Sequence, residues 1–287
     1  MLEILIKSAL LLALVAIADR LIRKQPASLR HVLWSFAIVG ALSIPVLTRV
    51  TPFHLALWPS REQPATPAAL SNSKHKPAKD KISTSADDPS DVAAVAADAQ
   101  PENRTTLQPI ASTLGSLPWT KVVLGLWALG AVILLTRLVV GLSTVQRIAN
   151  RAREVRDPAW REAIDRAADA LGFRWPVDVR FSDEGPMPFT CGVVRPIVVL
   201  PASAESWGAE QRDAVLLHEL AHISRGDLQM NLLSHVMRAF YWVNPLAWLA
   251  AHRLRVEGER ACDDTVLRAG AKASDYADHL LNIIKST

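Results

Sequence analysis

Cysteine is scarce in this chain: Cys191 and Cys262 are the only two in 287 residues. Both fall in the half that the charge pattern assigns to the cytosol, so a disulfide framework is excluded as the basis of the fold. A large charge excess is also missing. The formal net charge is +4, and the basic residues sit beside apolar runs. That distribution reads as membrane topology, and it argues against direct contact with nucleic acid. No internal repeat is visible, so an array architecture is not expected.

What is abundant is apolar sequence, at 50% of residues, and it is clumped. Three runs stand out: LEILIKSALLLALVAIA (about 2–18), VLWSFAIVGALSIPVLT (32–48) and WTKVVLGLWALGAVILLTRLVVGL (119–142). Each is near the length that crosses ~30 Å of hydrocarbon. Ala16-Ile17-Ala18 resembles a signal-peptide cleavage site. However, Arg20, Arg23, Lys24 and Arg30 follow that run and resist translocation, which keeps the 19–31 loop inside. Arg147, Arg151, Arg153 and Arg156 follow the third run and fall on the same side. The expected organisation is therefore two transmembrane helices within 1–50, an external loop over 51–117, a third transmembrane helix over 118–143 and a cytoplasmic domain over 144–287. The chain would sit in the inner or plasma membrane with several passes. Segment 51–117 is rich in Pro, Ser, Ala and mixed charge, which cannot bury enough apolar surface to offset chain entropy, so it is expected to be disordered. Ser71 and Lys74 match the S-x-x-K pattern of penicillin-recognising enzymes, but a nucleophilic serine needs a rigid pocket, and the match is read as chance.

The cytoplasmic half reads as α+β. Residues 157–172 have helical spacing of apolar positions. VDVRFSD and FTCGVVRPIVVLP are strand-like, the second punctuated by Gly192 and Pro196. Residues 209–224 form a helix carrying LLHELAHISRGD, with Gly226 as its stop and Asp227 as N-cap of the next helix. On a helix, residues i and i+4 stack on one face, so His218 and His222 can present imidazoles to one Zn²⁺. Glu219 is adjacent and can take a proton from the attacking water, as a general base.

Catalytic zinc takes three protein ligands and keeps one open position. The downstream apolar stretch 228–250 could be a fourth span, but that would carry the following acidic cluster across the membrane from the histidines. Asn244-Pro245 breaks it, and Gln229, Asn231, Ser234, His235 and Arg238 pepper it. A helical hairpin, buried in the domain or dipping into the membrane, returns the chain to the metal. Glu257 and Glu259 are then the candidate third ligands. Glu259 is preferred because Asp263, four residues on, shares its helix face and could hold the second N–H of a ligating histidine. His235, His252 and His279 are not assigned as ligands. Arg253, Arg255 and His252 stay open as oxyanion donors.

These residues together resemble the M56 peptidases, membrane-embedded zinc proteases of the BlaR/MecR type. ASLRHVLW, PFTCGVVRPIVVLP, HELAHISRGD, WVNPLAWLA and EGERACDD look like that family's segments, in its order. The resemblance implies a gluzincin-type site with His218, His222 and Glu259 on Zn²⁺ and Glu219 as general base. It also suggests Cys191, Gly192, Val193 and Val194 as an edge strand able to pair with an extended substrate. The sensor members continue into another span and an external penicillin-binding domain. This sequence stops at Thr287, so antibiotic sensing is not carried over. The chain is then expected to be a fragment or truncated form, or to receive its input through the 51–117 loop or a partner.

The expected fold class is a membrane protein, mainly α with a small β-sheet, having three transmembrane helices and a cytoplasmic α+β zincin domain with a helical hairpin. The expected function is a zinc-dependent endopeptidase cleaving a cytosolic protein, such as a transcriptional repressor, in signal transduction. An M48-like membrane quality-control protease and a catalytically silent zinc-binding transducer are the alternatives.

Overall fold

The structure, a computed structural model, describes residues 2–50, 118–172, 174–185 and 187–277. The expected loop 51–117, with Ser71 and Lys74, and His279 lie outside the described residues. The remainder is mostly helical with one small mixed sheet.

Helices α1 (Leu2–Leu21) and α2 (Ala27–Val50) form an antiparallel pair joined by a short turn. Each buries one stripe. On α1 it is Ser8, Leu12, Val15 and Asp19, the i, i+4, i+7, i+11 spacing of a helix face. On α2 it includes Arg30, His31, Trp34, Ile38 and Ala41. Helix α3 (Trp119–Arg151) buries little beyond Ala131 and Ala149, while Val123, Leu126, Val132 and Val139 on its surface are exposed. It runs past the expected end of the third apolar run because neither Pro nor a turn signal interrupts 143–151, and Gln146 donates to Asn150 one turn on. Helices α2 and α3 are long and apolar enough to cross a membrane. By the same measure α1 does not join them, since its 20 residues include Glu3, Lys7 and Asp19.

After α3 come β1 (Arg153–Glu154), α4 (Pro158–Ala170), β2 (Asp178–Ser182), β3 (Phe189–Cys191) and β4 (Ile197–Pro201). Asp157 caps α4 by accepting from the Ala159 N–H, with Pro158 at the first position where a missing donor costs nothing. The sheet order is β1-β2-β4-β3. β2 and β4 are parallel, with Val179 opposite Val198 and Phe181 opposite Leu200, and β3 is antiparallel to β4 at the edge. The strand-like run 189–201, punctuated at Gly192, is thus a hairpin of β3 and β4. Gly192 has φ +86°, and a Cβ there would lie 2.1 Å from the Arg195 carbonyl oxygen, so the chain turns at that residue. Only Cys191 of the expected substrate segment is in a strand; Gly192, Val193 and Val194 form the turn.

Helix α5 (Ala209–Arg225) carries the two-histidine motif and lies against the sheet through Val215, Leu216 and Leu220. These pack with Trp160, Phe181, Val198, Leu200 and Val266. Trp160 meets Phe181 edge-on with centroids 5.3 Å apart. Helix α5 ends at Gly226, whose φ of 70° closes the last turn on the His222 and Ile223 carbonyls. Helix α6 (Asp227–Phe240) then starts at once, and α7 (Pro245–Arg268) returns after a turn at 241–244. The expected hairpin is present, with Asn244 capping α7 through the Leu246 N–H. Its tip lies beside α2 and α3: Tyr241 Oη donates to the Ala41 carbonyl at 2.8 Å, and Trp127 Nε1 to the Phe240 carbonyl at 3.0 Å. Small residues, among them Ala37, Ala41, Ala247 and Ala250, let α2 and α7 approach closely.

Trp160 is the largest side chain fixing the sheet beneath α5. Trp160→Ala is expected to destabilise the chain by about 3–5 kcal/mol, read as a lowered unfolding midpoint in detergent.

Candidate metal centre

His218 and His222 stand one turn apart on α5, and their Nε2 atoms are 3.2 Å apart. Glu259, on α7, brings Oε2 to 3.6 Å from His218 Nε2 and 3.7 Å from His222 Nε2. Metal–ligand bonds of ~2.0–2.2 Å in tetrahedral array put ligand atoms roughly 3.3–3.6 Å apart. The triangle has that size, and its N, N, O donor set is one that catalytic zinc takes. The structure therefore brings together the three residues expected as ligands.

Each histidine has a second partner. His222 Nδ1 is 2.9 Å from Asp227 Oδ2. His218 Nδ1 is 2.8 Å from Tyr276 Oη, which donates to Asp263 Oδ1 at 2.8 Å. Such contacts fix which ring nitrogen is free and where it points. Asp263 thus stands behind His218, as expected, both directly at 3.4 Å from Nδ1 and through Tyr276. Asp227 is not the expected N-cap: the turn at Gly226 swings its carboxylate back under His222, where it is 3% exposed. Glu257, the other candidate ligand, is fully buried away from the triangle and pairs with Arg30 at 2.7 Å. A second group, His222, Asp227 and Cys262, is also close enough to chelate, but it uses the Nδ1 side of His222.

Glu219 is buried beside the triangle and accepts from Thr190 Oγ1, on β3, at 2.8 Å. The triangle, Glu219, Asn231 and Tyr276 line a cleft of about 490 Å³ together with residues 187–190. The cleft wall thus lies just before the segment expected to hold substrate. Cys191 packs into a small core with Ala149 and Val199, and Val193 accepts from Gln229 through its carbonyl. None of His252, Arg253 and Arg255 lines the cleft.

The sequence reading missed Asp227, Tyr276 and Thr190 as site residues. Asp227 was within reach: a glycine stop after the second histidine followed by a carboxylate folds that carboxylate under the ring. Tyr276 and Thr190 come from distant segments and carry no local signal.

Electrostatics follow from this crowding. Burial works against a charged His218, but hydrogen bonds with Asp263 and Glu259 and the charge of Glu219 outweigh it, and the pKa is pushed up to about 9. Burial also opposes charge on His222, yet Asp227, Cys262 and Glu259 raise it to about 12. Hydrogen bonds from His218 and His222 hold Glu259 well below the usual carboxylate range. The raised His218 pKa favours the folded chain fully below its ordinary value of 6.5, and this contribution is lost as pH climbs through about 9.

The sequence profile of the family described as BlaR1 peptidase M56 matches residues 1–287. "Regulatory protein BlaR1" of Bacillus licheniformis is 28% identical over 142 residues, 50% of this chain and 24% of that protein. The "Methicillin resistance mecR1 protein" of Staphylococcus aureus (strain Mu50 / ATCC 700699) and that of Staphylococcus epidermidis are each 28% identical over 93 residues, 32% of this chain and 16% of theirs. The matched stretches span a quarter or less of these curated relatives.

Because metal-ligating imidazoles must be neutral and the neighbouring carboxylates favour protonated rings, Zn²⁺ uptake near pH 7.5 is expected to displace protons into the buffer. Calorimetric titration in buffers of different ionisation enthalpy measures this directly; no displacement would show both rings already neutral.

Proposed function

The chain belongs to the M56 peptidases, a metallopeptidase family, and from that premise we propose a membrane-embedded zinc endopeptidase that cleaves a cytosolic regulatory protein. The observation that carries this reading is the ligand triangle of His218, His222 and Glu259, with Glu219 on the same cleft. His218, His222 and Glu259 would hold Zn²⁺, which polarises the scissile carbonyl and acidifies water. Glu219, held by Thr190, takes the proton of the attacking water as its oxygen bonds to the carbonyl carbon. It then delivers that proton to the amine nitrogen as the C–N bond breaks. Asp227, Tyr276 and Asp263 keep the ligand rings aimed. β3 is an edge strand with Phe189 and Thr190 at the cleft, so an extended substrate adds to the sheet there, through main-chain hydrogen bonds.

In this reading α1, α2 and α3 span the membrane, and residues 144–287 form a cytoplasmic zincin domain whose hairpin tip is lodged among the spans. Residues 51–117 are then external. Support comes from the basic clusters after the first and third runs and from the exposed apolar surface of α3. The names of the relatives, a regulatory protein and methicillin-resistance proteins, favour a signalling substrate, such as a repressor, over general protein turnover.

Glu219→Gln is expected to retain Zn²⁺ and to lower cleavage by about 10²–10⁴-fold. The measurement compares protein fragments in cells carrying the wild type or the variant. Cleavage that survives the change sinks the catalytic reading, and loss of many unrelated fragments would assign the chain to quality control.

A further inference from the structure

Two consecutive residues of α2 reach the back of the metal centre. Arg30 Nη2 is 2.7 Å from Glu257 Oε1, and Arg30 Nε donates to Asp19 Oδ1 at 2.8 Å. His31 Nε2 is 3.4 Å from Asp227 Oδ1. A Cβ built on Gly258 would lie 3.5 Å from His31 Cδ2 and 3.7 Å from Asp227 Oδ2, so the imidazole rests on the α7 backbone. Positions 257 and 258 are therefore braced by α2, and the next residue is the ligand Glu259. On the other side, Asp227 Oδ2 holds His222 Nδ1 at 2.9 Å. Arg225 closes the cluster by donating to the Gly258 carbonyl at 3.2 Å.

These groups are deeply buried, with Arg30 7%, His31 5%, Asp227 3% and Glu257 0% exposed. Burying ionisable groups is costly even when they are paired, and apolar residues of similar volume would join the helices at less cost. What the polar contacts add is a defined position. Neither Arg30 nor His31 lines the cleft, so neither acts on substrate directly.

We propose that Arg30 and His31 are positioning residues for the metal centre: the first turns of α2 set where Glu259 and His222 stand, so a displacement of α2 is felt at the ligands. This rests on the zinc reading above, and the test separates the two. The full chain is purified in nanodiscs, and Zn²⁺ affinity is measured by chelator competition. The visible spectrum of the Co²⁺ form reads ligand geometry without any cleavage assay. His31→Leu is expected to weaken Zn²⁺ binding roughly tenfold and to shift the Co²⁺ bands. His31→Asn, which keeps a polar side chain facing Asp227, should recover the affinity to within about threefold. A purely structural role would lower the melting temperature and leave the bands in place, which overturns the proposal. So does unchanged affinity in His31→Leu while the wild type binds, and the zinc reading then stands. A wild type that takes up neither ion overturns both. Should His31→Leu not fold, the unaltered chain still answers. Site coupling is reciprocal, so Zn²⁺ should slow amide hydrogen exchange at residues 29–33 by about threefold or more. Unchanged exchange there refutes the coupling.

Discussion

Three atoms from two distant pieces of chain must stand within a few tenths of an ångström of a fixed triangle. His218 and His222 satisfy two corners by helix geometry alone, because i and i+4 share a face. The third corner, Glu259, depends on everything between: the left-handed turn at Gly226, the length of α6, the Asn244–Pro245 reversal and the register of α7. Gly226 does this twice over. It ends the motif helix, and it places Asp227 where one carboxylate meets His222 on one side and His31 on the other. A residue with a Cβ would strain at φ 70°, so the chain's reversal and the aim of a ligand share one backbone requirement.

The two halves of the described structure are held by different physics. Around α5, burial of Trp160, Phe181, Val198, Leu200, Leu216 and Leu220 removes apolar surface from water, at roughly 1.5–3 kcal/mol for a fully buried large side chain. Around α2 and the hairpin, where the reading places lipid, that driving force vanishes, since hydrocarbon tails are as apolar as Leu. Close packing at Ala37, Ala41, Ala247 and Ala250 and a few directed bonds, such as Tyr241 Oη to Ala41, must do the work there. The buried Asp19–Arg30–Glu257 set sits where these regimes meet. Replacing Arg30 would leave the Asp19 carboxylate buried without its partner, and that penalty is larger than the net worth of the set.

Much of this was legible in the sequence. The motif helix, the hairpin and the preference for Glu259 over Glu257 follow from spacing, a proline break and one i+4 carboxylate, while the edge strand is implied only by the family resemblance. The reason Glu259 was preferred is only partly the reason it stands at the triangle. Asp263 does reach His218, directly and through Tyr276, but Glu257 is withdrawn by Arg30, a residue in the first two-helix unit. What sequence could not show is long-range and polar: Thr190 on Glu219, Tyr276 on His218, Arg30 on Glu257. Periodicity reports which face of an element is buried. It is silent on which distant side chain will meet it, and buried polar pairs are chosen by that meeting. The strand segment was misplaced for a local reason. The resemblance carries the strand through Val194, while the left-handed Gly192 ends it at Cys191.

Thr190 shows how little room the arrangement leaves. Its backbone belongs to β3, paired opposite Val198, while its hydroxyl donates to Glu219 at 2.8 Å. The same residue therefore helps form the wall that lines the cleft and fixes one oxygen of the carboxylate assigned the proton. A shift of β3 along its partner by one residue would turn that hydroxyl to the opposite face of the sheet, because side chains alternate with period two. Cys191 next to it resists such a slip, being locked into the small core with Ala149 and Val199 at the foot of α3. The register of a three-residue strand is thus tied at one end to the helix that leaves the apolar region and at the other to the carboxylate beside the candidate ligand triangle.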